Sequence, residues 1–136
     1  MAVNQTGKPY QWGARGPDKF DCSGLITYSY KKALNKENIF NIKGYITDDA
    51  TMDDLYNWNV KHIPPEKAQP GDIIFITSSE KRITHGGLFI KWIDDKTMKM
   101  VHASSYFNKV VIDSWSKNVK KGNQKFVGLG RFTKSE

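Results

Sequence analysis

Three residues of this chain could do chemistry together: Cys22, the sole cysteine, and two of its three histidines, His85 and His102. Cys22 lies in the stretch FDCSGLITYSY, residues 20–30, directly after Asp21 and directly before Ser23-Gly24. A thiol that opens a helix sits among backbone N–H groups lacking intrahelical partners, and their partial positive charge favours the nucleophilic thiolate. The same N–H groups can cradle the oxyanion formed when a thiolate attacks an amide carbonyl. On position alone a lone cysteine is more often a small, inert core residue. The histidines shift that balance. If residues 85–93 and 98–104 pair as a hairpin turning at Asp94-Asp95, Gly87 lies opposite His102, and His85 and His102 share a face one diagonal step apart. Such neighbours are ~7–8 Å apart, within bridging reach of two imidazoles. One could then serve as base and the other as its orienter. Any even-length turn keeps this parity and a bulge breaks it. His62, beside Ile63-Pro64-Pro65, reads as an ordinary imidazole. One cysteine excludes an intramolecular disulfide, and histidines this scattered make no zinc cluster, so no metal or cofactor is expected.

The elements that must hold these groups follow from patterning. Residues 7–20 are rich in Gly, Pro and aromatics and read as an ordered, irregular lead-in. A helix is predicted over 22–34, with Asp21 as N-cap, Cys22, Ile26, Tyr30 and Ala33 on its buried face, and Lys31 and Lys32 at its C-terminal end. Gly24 leaves room there for close approach of substrate or sheet. TDDATMDDLYNW suggests a short helix, and IPPEKAQPGD an extended, turn-rich approach to the next element. From residue 72 onward β-rich runs appear at 72–76, 85–93, 98–104, 109–115 and 125–132. Short connections favour antiparallel neighbours. The expected architecture is α+β, with N-terminal helices packed on a C-terminal antiparallel sheet. At 136 residues, with neither repeat nor linker, residues 1–136 read as one domain able to bury its own core.

The formal charge of +7 implies attraction to something anionic: nucleic acid, a membrane surface or a wall polymer. The lysines form no long block, so an ordinary solvated basic surface is the first reading of this charge. No apolar run approaches the ~20 residues of a membrane span, and MAVNQTGKPY lacks the apolar core of a secretion signal.

Taken in order, GKPYQWGARGPDKFDCSGLITYSY, QPGDIIFI, THGGLFI and MVHAS resemble the NlpC family of papain-like bacterial cell-wall peptidases over nearly the whole chain. The most specific elements are Tyr10-x-Trp12-Gly13, Asp21-Cys22-Ser23-Gly24, Pro70-Gly71-Asp72, His85-x-Gly87 and His102-Ala103. The chain has Ala14 where the family usually has a second glycine, and Gly86 where it usually has a bulkier apolar residue. The resemblance implies a papain-like fold with Cys22 as nucleophile, His85 as general base and acid, and His102 as the polar residue orienting His85. It implies a hydroxyl from Tyr10 near the oxyanion, and Ser23, Trp12 and Arg15 complete the expected oxyanion and substrate-binding set. Trp12, Tyr28 and Trp58 are candidates to line a groove, and Arg15 and Arg82 to pair with substrate carboxylates. The implied substrate is the peptidoglycan stem peptide, cut between D-glutamate, through its γ-carboxyl, and the following diamino acid. Related amidase, cross-bridge peptidase and acyltransferase reactions would use the same groups, and a non-catalytic polymer-binding module would use none of them. Neither nucleic acid nor stable membrane insertion is expected. Action on a wall outside the cytoplasm, without a signal in this chain, calls for delivery by a phage particle or secretion apparatus, or for a longer parent protein.

Overall fold

The computed structural model of the protein describes residues 2–78, 82–116 and 124–133. In chain order its elements are α1 (Cys22–Leu34), β1 (Phe40–Ile42), β2 (Tyr45–Thr47), α2 (Met52–Trp58), β3 (Val60–Ile63), β4 (Ile73–Thr77), β5 (His85–Trp92), β6 (Thr97–Ser104), β7 (Lys109–Ser116) and β8 (Lys125–Phe132). The last six form one antiparallel sheet in the order β3-β8-β4-β5-β6-β7. β4 runs through its middle, and its unbroken Ile73-Ile74-Phe75-Ile76 is the pattern of a strand covered on both faces. Ile73 and Phe75 join Leu25 and Ile26 of α1, Leu55 of α2, and Leu88, Val101 and Val110 of the sheet. Ile74 and Ile76 turn the other way, into a second cluster with Phe89, Met98, Met100, Trp115 and Leu129. Each such side chain contributes roughly 1.5–3 kcal/mol on full burial.

Helix α1 lies over β5 and β6. Asp21 caps it by accepting the Gly24 N–H at 2.7 Å, and Asn35 ends it in the left-handed region at φ 50°. Its buried face differs from the one the apolar spacing predicts. Ser23, Leu25, Ile26, Thr27 and Ser29 are buried, whereas Cys22 and Tyr30 are half-buried and Ala33 is exposed. Hydroxyls can be buried here because the helix satisfies them: Ser29 Oγ donates to Leu25 O at 2.7 Å and Thr27 Oγ1 to Gly24 O at 3.2 Å.

Between α1 and the sheet the chain makes a β1–β2 hairpin, turning at Lys43-Gly44 with both residues at positive φ (53° and 93°), then α2. Helix α2 starts with a capping box: Thr51 Oγ1 accepts the Asp54 N–H and Asp54 accepts the Thr51 N–H. Neither β1–β2 nor β3 is foreshadowed by the strand signals of the sequence.

The β5–β6 hairpin also departs from the two-residue turn at Asp94-Asp95. Ile93 N–H bonds to Thr97 O at 2.8 Å, leaving a three-residue turn in which Asp94 Oδ1 accepts from the Lys96 and Thr97 amides. An odd turn alone would flip every side chain beyond it. A register shift between Phe89 and Lys91 takes out the extra residue: Trp92 pairs with Met98, but Leu88 pairs with Val101. The two irregularities cancel, so Gly87 does lie across from His102. A Cβ on Gly87 would come within 2.9 Å of the His102 Cβ.

Candidate active site

The thiol side is built from the lead-in and the first turn of α1. The buried Asp21 carboxylate accepts from Gly24 N at 2.7 Å, Arg15 Nη1 at 2.8 Å and Gly13 N at 3.0 Å, fixing the loop around the helix start. Leu25 N–H is taken by Asp21 O. The amides of Cys22 and Ser23 remain, and both lower the pKa of the thiol beside them. Sγ also lies 4.0 Å from the carbonyl oxygen of Thr84, the residue before His85. Tyr10 is half-buried against the α1 side of the core, where burial and the nearness of Cys22 and Asp21 raise its phenol above the usual pKa.

Gly24 accommodates neither substrate nor sheet. The Ala14 carbonyl occupies its open side, 2.2 Å from where a Cβ would stand. That carbonyl in turn accepts the Asp21 N–H at 2.9 Å.

Arg15 has a different job from pairing with a substrate carboxylate. Its five N–H bonds go to Asp21, to Ser23 Oγ at 2.9 Å, twice to Asp49 and to Ala50 O at 2.9 Å. It clamps the segment before α2 to the cap of α1. Ser23 is likewise turned inward, its hydroxyl between Arg15 and Asp21, so only its backbone amide serves the thiol. Trp12 is 82% exposed and Trp58 44%, Arg82 is exposed, and Tyr28 packs edge-on to Phe20. Among the described residues, no hydrogen bond or ring contact joins these four to Cys22. His62 stacks edge-on to Tyr56 at 4.7 Å, away from the site.

The imidazole side is built across three strands. His85 Nε2 and His102 Nδ1 are 2.9 Å apart, and His102 Nε2 is 3.3 Å from Asp113 Oδ2 on β7. His102 is 4% exposed. By alternation along β6 and β7, His102 shares a face with Met98 and Met100, and Asp113 with Trp115. This row therefore lies on the face turned away from α1, while the thiol approaches from the α1 side at the beginning of β5. The β6–β7 register places His102 opposite Val111 and Asp113 one diagonal step further. The parity argument that joins His85 to His102 would have found Asp113 if carried one strand on.

Electrostatics overturn the expected thiolate. Burial, reinforced by the Asp21 carboxylate, pushes the Cys22 thiol up to about 11, and the two amides and Arg15 offset only part of this. Burial, with His102 beside it, pushes His85 down to about 3. Each group alone is thus neutral at rest, a thiol and a free imidazole base.

A cavity of about 560 Å³ opens beside the row, lined by His85, His102, Asp113, Trp115 and the β6–β7 turn with Tyr106 and Phe107. Tyr106 is 88% exposed at its lip. The arrangement sets a thiol at the start of a helix beside the beginning of β5, a pair of imidazoles in contact across β5 and β6, and a cavity along the imidazole row.

The NlpC/P60 family profile matches residues 7–128. Among curated relatives, a probable endopeptidase p60 from Listeria grayi is 36% identical over 89 residues, covering 65% of this chain and 15% of its own. The bifunctional muramidase/DL-endopeptidase CwlT of Bacillus subtilis is 34% identical over 92 residues, covering 65% of this chain and 24% of its own. The chain thus spans a quarter or less of the length of these two relatives. The solved structure of NlpC2 from Trichomonas vaginalis superposes with a TM-score of 0.66 over 99% of this chain and 44% of its own, at 24% identity. With the papain-like arrangement of helix and sheet and a profile match over most of its length, the chain belongs to the NlpC/P60 family.

Proposed function

We propose that residues 1–136 act as one catalytic domain, a cysteine endopeptidase that hydrolyses an amide bond in peptidoglycan stem peptides. The observation that carries this reading is Cys22 at the start of α1, its Sγ set 4.0 Å from the carbonyl of the residue before the His85–His102 pair. Names of relatives that include endopeptidase and muramidase favour the wall as substrate, and the +7 charge suits an anionic polymer.

The chemistry follows from the neutral resting pair. As Sγ attacks the scissile carbonyl, its proton passes to His85, so that thiolate and imidazolium charges arise only when the substrate is in place to use them. The Cys22 and Ser23 amides and the Tyr10 hydroxyl receive the developing oxyanion. Collapse of the tetrahedral intermediate expels the amine, which takes the proton from His85 and leaves an acyl-thioester on Cys22. His85 then draws a proton from water, which attacks the thioester and regenerates the thiol. His102 holds His85 in orientation and supports its charge.

The bond assigned is that between the γ-carboxyl of D-glutamate and the following diamino acid, and the site of action is the bacterial wall, outside the cytoplasm. Digestion of purified peptidoglycans of different stem composition, with product masses read out, tests this. New amino termini on the diamino acid are expected. Products with a free lactyl group, with cut cross-bridges or with transferred acyl groups would instead assign the muramoyl amidase, cross-bridge or acyltransferase reaction.

A further inference from the structure

We infer that Asp113 is a positioning residue that fixes the proton of His102 on Nε2 and so leaves Nδ1 of His85 as the bare nitrogen of the row. An ionised carboxylate only accepts hydrogen bonds. Facing Asp113 Oδ2 at 3.3 Å, His102 Nε2 must therefore carry a proton. A neutral imidazole has one N–H, so His102 Nδ1 keeps its lone pair. His85 Nε2, 2.9 Å from that lone pair, must donate to it. His85 is itself neutral, and its single proton is thereby spent on Nε2. Nδ1 is left with a lone pair and free to act as base.

The opposite arrangement, a charged His102 donating at both ends, would put a proton on His85 Nδ1 and remove the base. It would also place an imidazolium in a side chain only 5% exposed, whose carboxylate partner stands at 3.3 Å with 19% exposure. The neutral row leaves the charge on the carboxylate at its outer end, where Asp113 borders the cavity. The choice of ring nitrogen on one strand is thus set by a carboxylate two strands away. That His85 Nδ1 takes its proton from Cys22 rests on the peptidase reading above; the tautomer assignment does not.

Long-range nitrogen–proton NMR of the histidine-labelled protein at neutral pH tests the assignment without any substrate. In the wild type, both His85 and His102 should be protonated on Nε2 alone. In Asp113→Ala both should become mixtures of tautomers, and in wall digestion kcat should fall on the order of tenfold to a hundredfold with KM within about twofold. Asp113→Asn, nearly isosteric, gives the same spectroscopic readout should the alanine variant fold poorly, because an amide donates as readily as it accepts. An Nδ1–H signal from either histidine of the wild type would overturn the inference. So would unchanged tautomers in both variants, even with lowered stability, since that is the mark of a purely structural carboxylate. Intact tautomers alongside an active Cys22→Ala would overturn the peptidase reading and leave the proton row standing.

Discussion

The two halves of the site are made in different ways. The thiol half is local: Gly13, Arg15, Asp21, Cys22 and Gly24 fall within a dozen residues, and one carboxylate, that of Asp21, holds the loop and caps the helix. The imidazole half is distributed: His85, His102 and Asp113 come from three strands and meet only because two registers are right. A local half depends on hydrogen bonds that one substitution can remove. A distributed half depends on parity, and there a turn and a bulge can each be irregular while the outcome survives.

The comparison predicts where damage is total and where it is graded. The largest loss outside the nucleophile is expected for His85→Ala, and the Cys22→Ala/His85→Ala double variant should hydrolyse wall little worse than either single one, because nucleophile and base act as a unit. Multiplicative losses in steady-state kinetics would mean that the two halves do not work together. Next comes His102. His102→Leu removes the acceptor for His85 and should cost about a hundredfold or more, whereas His102→Gln keeps a hydrogen-bonding atom and should retain appreciable activity. Equal turnover in both variants would separate His102 from the chemistry despite its 2.9 Å contact.

Breaking the local half elsewhere should act on stability first. Arg15→Met leaves the buried Asp21 carboxylate without its cation and should cost roughly 2 kcal/mol in urea unfolding, with activity lowered less than by any histidine variant. Asp49→Ala should cost much less, since its carboxylate is 56% exposed.

The two halves also differ in how pH acts on stability. His85 takes up a proton near its ordinary value of 6.5 when unfolded but only near 3 when folded, so its contribution to stability is complete above about pH 6.5 and is lost as pH falls toward 3. Cys22 behaves oppositely. Unfolded, it releases its proton near 9.0 and folded near 11, so stability is lost as pH rises through that window. Stability measured by urea should therefore be flat between about pH 6.5 and 9, falling on the acid side by up to about 1.4 kcal/mol per pH unit from His85. His85→Ala should flatten the acid limb and Cys22→Ala the alkaline one. Curves parallel to wild type would show that neither group is buried neutral.

The helix opened by Cys22 and the five later strands were legible because each carries a strong local signal, a cap in one case and alternating or unbroken apolar runs in the others. The His85–His102 pairing was legible for a reason only partly right, since the expected turn was a residue too short and the bulge at Ile90 was unseen. Strands β1, β2 and β3 were not legible. They are three or four residues long and, Phe40 apart, only partly buried or exposed, and Asn59 ties β1 to the end of α2 through side-chain bonds to the Asn41 amide and carbonyl, a tertiary event without a pattern. The thiol's charge state was misjudged because a helix terminus is readable from sequence while burial and the facing Asp21 carboxylate are not. Arg15 and Ser23 belonged to the site region but to its scaffold, which only the direction of their side chains reveals.

The most direct test of the central claim, that Cys22 carries the reaction, is digestion of purified peptidoglycan by wild-type protein and Cys22→Ala side by side, with soluble products quantified by mass. The substitution removes Sγ and little volume, so the variant should fold and bind wall like the wild type and release no product above background. Product release by Cys22→Ala at even a tenth of the wild-type rate would contradict it.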